Sequence, residues 1–223
     1  MSLARKLMAA AGGGIQYIGS VTKVANSEGD WDTVPEALDV LSIAETGDLV
    51  VIAFSFDSGA DATWFWGNEG MSFTAVWNNT GATNPGAYVG YRFVQAGDED
   101  PYVSGVSTNS WGGLTIVASV FRGVSSYEND NNANGASGMP DPPNLTAAGN
   151  LWIATGHLDD DAVTNWGAPT NYTLAAYAAS PAGDDNRSST AIAYRIESLA
   201  SDNPSAFSGS GTDTWNAITL AFS

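Results

Sequence analysis

The sequence predicts an all-β fold: a single antiparallel β-sandwich, jelly-roll-like, built from two repeated halves behind a short N-terminal arm. Three observations predict it. Short β-branched and aromatic runs recur along the chain, separated by Gly, Asn, Asp, Ser and Pro clusters. These runs fall into two similar series. Helical periodicity is weak outside the N-terminal arm.

The candidate strands, in order, cover residues 49–56, 88–94, 114–121, 151–155, 190–196 and 217–222. The first is bounded by Gly47-Asp48 and by Asp57-Ser58-Gly59, both turn-forming clusters. The stretch 35–41 reads equally as a helical turn or a strand.

The repeat is carried by short matches. Gly47-Asp48-Leu49 returns as Gly149-Asn150-Leu151, and Met71-Ser72-Phe73-Thr74 resembles Thr170-Asn171-Tyr172-Thr173. Tyr91-Arg92-Phe93, followed by Pro101 and Trp111, matches Tyr194-Arg195-Ile196, followed by Pro204 and Trp215. The units are residues 45–124 and 147–223, joined by 125–146, whose Asn, Gly and Pro content reads as a loop. A half of this size without disulfides would be marginal alone. Two half-sheets facing each other around one core are therefore expected, as one domain over 24–223. The last strand runs to Ser223, so the module is expected to be an end piece. Arg92 and Arg195 alternate with Tyr91/Phe93 and Tyr194/Ile196, so they should point away from the core and pair with acids.

Charge is distributed unevenly. Seven Lys and Arg stand against 24 Asp and Glu, a formal net charge of −17. Arg5, Lys6 and Lys23 give residues 1–23 a charge of +3, and the rest holds four arginines and all the acids, 4 − 24 = −20. An acidic body disfavours a nucleic-acid partner, because counterion release needs clustered Lys and Arg. No apolar stretch is long enough to span a membrane as a helix. The run Leu7-Met8-Ala9-Ala10-Ala11 is also too short for a signal-peptide core. Absence of Cys removes disulfides, thiolate metal sites and cysteine nucleophiles. Residues 1–23 read as a basic arm and Gly12-Gly13-Gly14 hinge. Leu3, Leu7 and Met8 at helical spacing, with Arg5 and Lys6, would dock on an acidic neighbour.

Few residues suggest chemistry. His157, the sole histidine, reads as a loop residue following the 151–155 strand, and no Gly-x-Ser-x-Gly elbow accompanies it. The acids lie mostly in turns rather than on strands facing a groove, so no glycosidase pair stands out and no enzymatic activity is expected. Asp159, Asp160 and Asp161 read first as a solvated turn, and their crowded hard oxygens make them a candidate Ca²⁺ ligand set. Trp64-Phe65-Trp66 is the densest aromatic cluster, and Trp64, Trp66 and Trp77 are the candidate residues for glycan or partner binding. Trp64 and Trp66 would share one strand face, either as a platform for host-surface glycans or partner proteins, or as caps on the core. Trp111 and Trp215 are assigned to the core.

The opening Met1–Gly14 segment resembles the start of many virion structural proteins of tailed phages, especially those of marine and cyanobacterial hosts. The Gly-Asp-Leu strand, its Gly149-Asn150-Leu151 repeat and Val120-Phe121-Arg122-Gly123-Val124 resemble two-half β-sandwich modules. Such modules occur in phage tail, fibre and decoration proteins and in bacterial surface proteins. The second half departs from the pattern, lacking the Phe-Arg-Gly-Val continuation after Phe222. The resemblance implies a non-enzymatic virion component that contacts other virion proteins through its arm and is homo-oligomeric in the particle. An extracellular or cell-surface adhesin is the alternative expectation.

Overall fold

A computed structural model describes residues 14–25, 36–56, 62–66, 73–79, 86–107, 114–159, 163–180, 187–211 and 213–223. At residues 25, 36, 37, 56, 62–66, 77–79 and 102–107 the backbone alone is described. The described strands are β1 (Gln16–Ala25), β2 (Glu36–Ala37), β3 (Leu49–Phe56), β4 (Ala62–Trp66), β5 (Thr74–Asn79), β6 (Gly86–Phe93) and β7 (Tyr102–Ser107). They continue with β8 (Leu114–Arg122), β9 (Tyr127–Gly135), β10 (Leu145–Asp159), β11 (Thr173–Ala179), β12 (Ser188–Asp202) and β13 (Trp215–Phe222). A single 3-10 turn, Val40–Ser42, follows β2, so the 35–41 stretch holds a brief strand and leads into a helical turn.

Two antiparallel five-stranded sheets form the sandwich, ordered β1-β8-β3-β6-β5 and β9-β13-β10-β12-β11. A small sheet, β2-β7-β4, accompanies the first. Each half of the chain builds one sheet. The architecture is the expected two-layer sandwich, whereas a jelly roll's connections would alternate between the layers.

Written in this order, the sheets match strand for strand, and the registers match too. Leu49 faces Phe93 and Phe121 across its neighbours, as Leu151 faces Ile196 and Phe222. A bulge between Ala75 and Trp77 in β5 recurs between Leu174 and Ala176 in β11. A second bulge, after Tyr17 in β1, recurs after Tyr127 in β9. Because a one-residue slip would turn every side chain to the other face, such agreement identifies a true structural duplication.

The duplication begins one strand earlier than the sequence matches suggest. Residues 16–23, expected within the arm, form most of β1, and residues 127–135, expected as loop, form β9. β9 is Tyr-Glu-Asn-Asp-Asn-Asn-Ala-Asn-Gly and lacks the apolar alternation that marks a strand. Its ladder to β13, rather than its own propensity, holds it extended.

The inner core joins the two sheets. Leu49, Val51, Val89, Val117 and Phe121 from one pack with Leu151, Ile153, Ile192, Ile218 and Leu220 from the other. Two aromatic triads related by the duplication mark this layer. Tyr17 stacks on Tyr194 with ring centroids 4.9 Å apart, and Phe121 stands edge-on to Tyr194 at 5.5 Å. Tyr127 stacks on Tyr91 at 4.9 Å, and Phe222 stands edge-on to Tyr91 at 5.5 Å. Each triad draws one ring from the opposite sheet, so it fixes sheet against sheet.

The crossover between halves is tight. Gly123 takes φ +82°, a left-handed conformation that favours glycine, and Val124 drops into the inner core. Arg122 grips Asp48 through two 2.8 Å hydrogen bonds, with Glu45 at 3.3 Å. The Phe-Arg-Gly-Val segment is thus the connection from first sheet to second.

Candidate functional site

The docking-arm residues Leu3, Arg5, Lys6, Leu7 and Met8 lie outside the described residues. The chain that follows them is anchored at once. The Tyr17 hydroxyl donates to the Ala175 carbonyl on β11 at 3.1 Å and lies 2.9 Å from Ser20 Oγ, which in turn lies 2.7 Å from Ser119 Oγ. One residue of β1 therefore ties both sheets together immediately after Gly14-Ile15.

Trp64 and Trp66 fall on one face of β4, opposite Gly105 and Val103 of β7. Trp77 falls on β5, at the edge of the first large sheet. The three tryptophans therefore belong to two different sheets. Their side chains lie outside the described residues, as does Trp111. Trp215, at the start of β13, packs over Gly135 and donates from Nε1 to the Ser137 carbonyl at 3.1 Å, and its register equivalent in β8 is Leu114 rather than Trp111.

Of the acidic triplet, Asp160 and Asp161 lie outside the described residues. Asp159 is the last residue of β10 and is buried, which corrects its assignment to a solvated turn. Its N–H donates to the Thr214 carbonyl at 3.1 Å, and the Thr214 hydroxyl lies 3.4 Å from its Oδ2. Among the described residues no three His, Asp or Glu side chains converge as metal ligands.

His157 is likewise corrected from a loop position. It sits on the inward face of β10 and is fully buried. Nδ1 lies 2.9 Å from Thr190 Oγ1, Nε2 lies 3.2 Å from Thr155 Oγ1, and the Phe54 carbonyl accepts from the ring. Around it the inner layer changes from apolar to hydroxyl-rich. Ser188 Oγ donates to the Ser55 carbonyl at 3.1 Å and lies 3.2 Å from Thr115 Oγ1, while Ser55 Oγ donates across the sandwich to the Leu158 carbonyl at 3.3 Å. Desolvation outweighs the hydrogen bond to Phe54 and pushes the imidazole down to about 3, so it stays neutral at physiological pH. This polar layer was not legible in the sequence, because strand alternation marks which residues face inward but not where a strand ends.

The arginines behave as expected. Arg92 makes a two-point contact with Asp98 at 2.8 and 3.2 Å, and that hydrogen bonding holds the Asp98 carboxyl below the usual range. Arg195 pairs with Glu197 and with Asp202 at 3.1 Å. The Tyr172 hydroxyl donates to Asp202 at 2.7 Å, and burial followed by this carboxylate drives its pKa upward. An open surface depression lies beside Arg195, lined by Asn171, Thr173, Tyr194, Ile196 and Glu197.

No family model, no curated protein and no solved structure matches this chain. Among the described residues no helix is long and apolar enough to cross a membrane.

Proposed function

We propose that this protein is a non-enzymatic structural component of a tailed-phage virion, an appendage of tail, fibre or head-decoration type. It docks on other virion proteins through its N-terminal arm and turns an acidic sandwich outward. The polarity of the chain carries this reading. Arg5 and Lys6 lie in residues 1–13, Lys23 lies in β1, and every acid lies from Glu28 onward. Anchoring of β1 across both sheets by Tyr17 supports it, since a load on the arm passes to the whole sandwich. The acidic body keeps the appendage soluble. Removing residues 1–13 is expected to abolish incorporation into particles while leaving the circular dichroism spectrum and melting temperature of the sandwich unchanged. Normal incorporation of the truncated chain would overturn the proposal.

A second reading, an extracellular adhesin for host-surface glycans, is favoured by one difference between the halves. In the second half Trp166 lies against Gly156 on the outer face of its sheet. The register-equivalent residue of the first half is Phe54, stacked on Tyr88 at 4.8 Å, so the corresponding slot is filled. Trp66, whose Trp-Gly pair in sequence matches Trp166-Gly167, instead belongs to a strand of the small sheet. Glycan-array binding that disappears in Trp64→Ala and Trp66→Ala would support this reading, and unchanged binding would reject the site.

A further inference from the structure

The two flanks of the sandwich are related by the duplication but differ in chemistry. On one flank the edge strands are β1 and β11, linked by the Tyr17–Ala175 hydrogen bond. On the other they are β5 and β9. Glu128, Asp130 and four asparagines occupy β9, which keeps that edge hydrated and repels another acidic chain. β1 and β11 contain no acid, and their one charge is Lys23. Among the described residues three large apolar side chains are exposed: Val24 on β1 (37 %), Tyr177 on β11 (38 %) and Ile196 on the adjoining β12 (43 %). All three lie on strands at this flank. The contrast is sharpest at register-equivalent positions, where Thr22 and Val24 of β1 correspond to Asn132 and Asn134 of β9.

We propose that the β1/β11 flank is a self-association surface, on which a second copy of this chain docks by antiparallel pairing of β1 with β1. Three arguments select a second copy as the occupant. Two chains of net charge −17 repel over most of their surfaces, whereas pairing through β1 and β11 sets strands that carry no acid against each other. A strand placed against its own copy across a two-fold axis is necessarily antiparallel, the ladder geometry both sheets already use. One axis normal to the sheets serves β1 and β11 together, extending both sheets to ten strands, within the usual limit for open sheets. The contact needs no particle, so it stands apart from the virion reading.

The test uses the full chain, purified alone, in sedimentation velocity and light scattering from about 1 to 100 µM. The wild type is expected to reach twice the 23.1 kDa of one chain. Val24→Glu, and independently Thr22→Glu, should raise the dimer dissociation constant at least about tenfold, with far-UV circular dichroism unchanged. Asn134→Glu, at the equivalent position of β9, should leave it unmoved. A wild type that stays monomeric throughout the range overturns the proposal. So does a dimer that both β1 variants retain and Asn134→Glu dissociates.

Discussion

The outer faces of the two sheets solve one packing problem in different ways. In the first half the strands bring their own aromatics: Phe54 on β3 and Tyr88 on β6 stack at 4.8 Å, under a lid that includes Leu38, Val40 and Ala44. In the second half the equivalent strand residues are small, Gly156 on β10 and Ala191 on β12. There the loops supply the rings: Trp166 and Phe207 meet edge-to-face at 5.2 Å and rest on Gly156. A Cβ at Gly156 would meet the Trp166 ring at 2.9 Å, so glycine is required by the approach of the ring rather than by backbone conformation. Aromatic rings fill the outer face in both halves while their source moves from strand to loop, because a core must be closely packed whichever segment fills it.

Four experiments break or sharpen this comparison. The largest effect is expected from Phe54→Ala, which empties a slot that nothing in the lid replaces. It should cost about 3–5 kcal/mol in denaturant unfolding. A smaller cost would mean that neighbouring side chains collapse into the space.

Next is the pH dependence of His157, whose counterpart in the first half, Ser55, cannot titrate. Its folded pKa lies near 3, below the value of about 6.5 for the unfolded chain. The unfolded chain therefore binds the extra proton between these values. The stability that His157 contributes is full above pH 6.5 and falls as pH drops toward 3. Unfolding free energy should decline by up to about 1.4 kcal/mol per pH unit between 6.5 and 4.5, above most carboxylate titration. His157→Gln should flatten that slope, and an unchanged slope would assign it to other groups.

Gly156→Val, which pushes against Trp166, should cost about 1–3 kcal/mol. Adding Trp166→Ala should then cost less than it does in the wild type, a non-additivity that a thermodynamic cycle detects if the two share one slot.

The smallest effects belong to the duplicated arginine pairs. Asp98→Asn, at a partly exposed pair, should cost less than about 1 kcal/mol. Asp202→Asn should cost more, about 1–2 kcal/mol, because Asp202 also accepts the Tyr172 hydroxyl. Equal losses would deny that hydrogen bond its role.

Much of the fold was legible where strands are buried on both faces. β3, β8 and β13 are mostly apolar runs broken by only a few small polar residues, and such runs announce themselves. The outward arginines Arg92 and Arg195 followed from alternation alone. The edge strands were not legible. In the sequence β1 merges with the basic arm, because its Gly19, Ser20 and Thr22 interrupt the apolar pattern, and the Asn content of β9 reads as a loop. An edge strand is paired on one side only, so its sequence is free to follow solubility rather than propensity. The candidate sites were less legible still. In the sequence Asp159 and His157 read as loop residues, since strand β10 continues past Thr155 into polar residues that only a facing sheet can accommodate.

Composition and pattern by themselves determined the all-β class, the duplication and the separation of a few cations from 24 acids, because these depend on local propensity and on counting. Tertiary structure decided what lies beside what. It turned His157 inward, split the three tryptophans between two sheets, and gave the two flanks their unlike edges. Such pairings join residues far apart in sequence, and they exist only once the sheets have closed on one another.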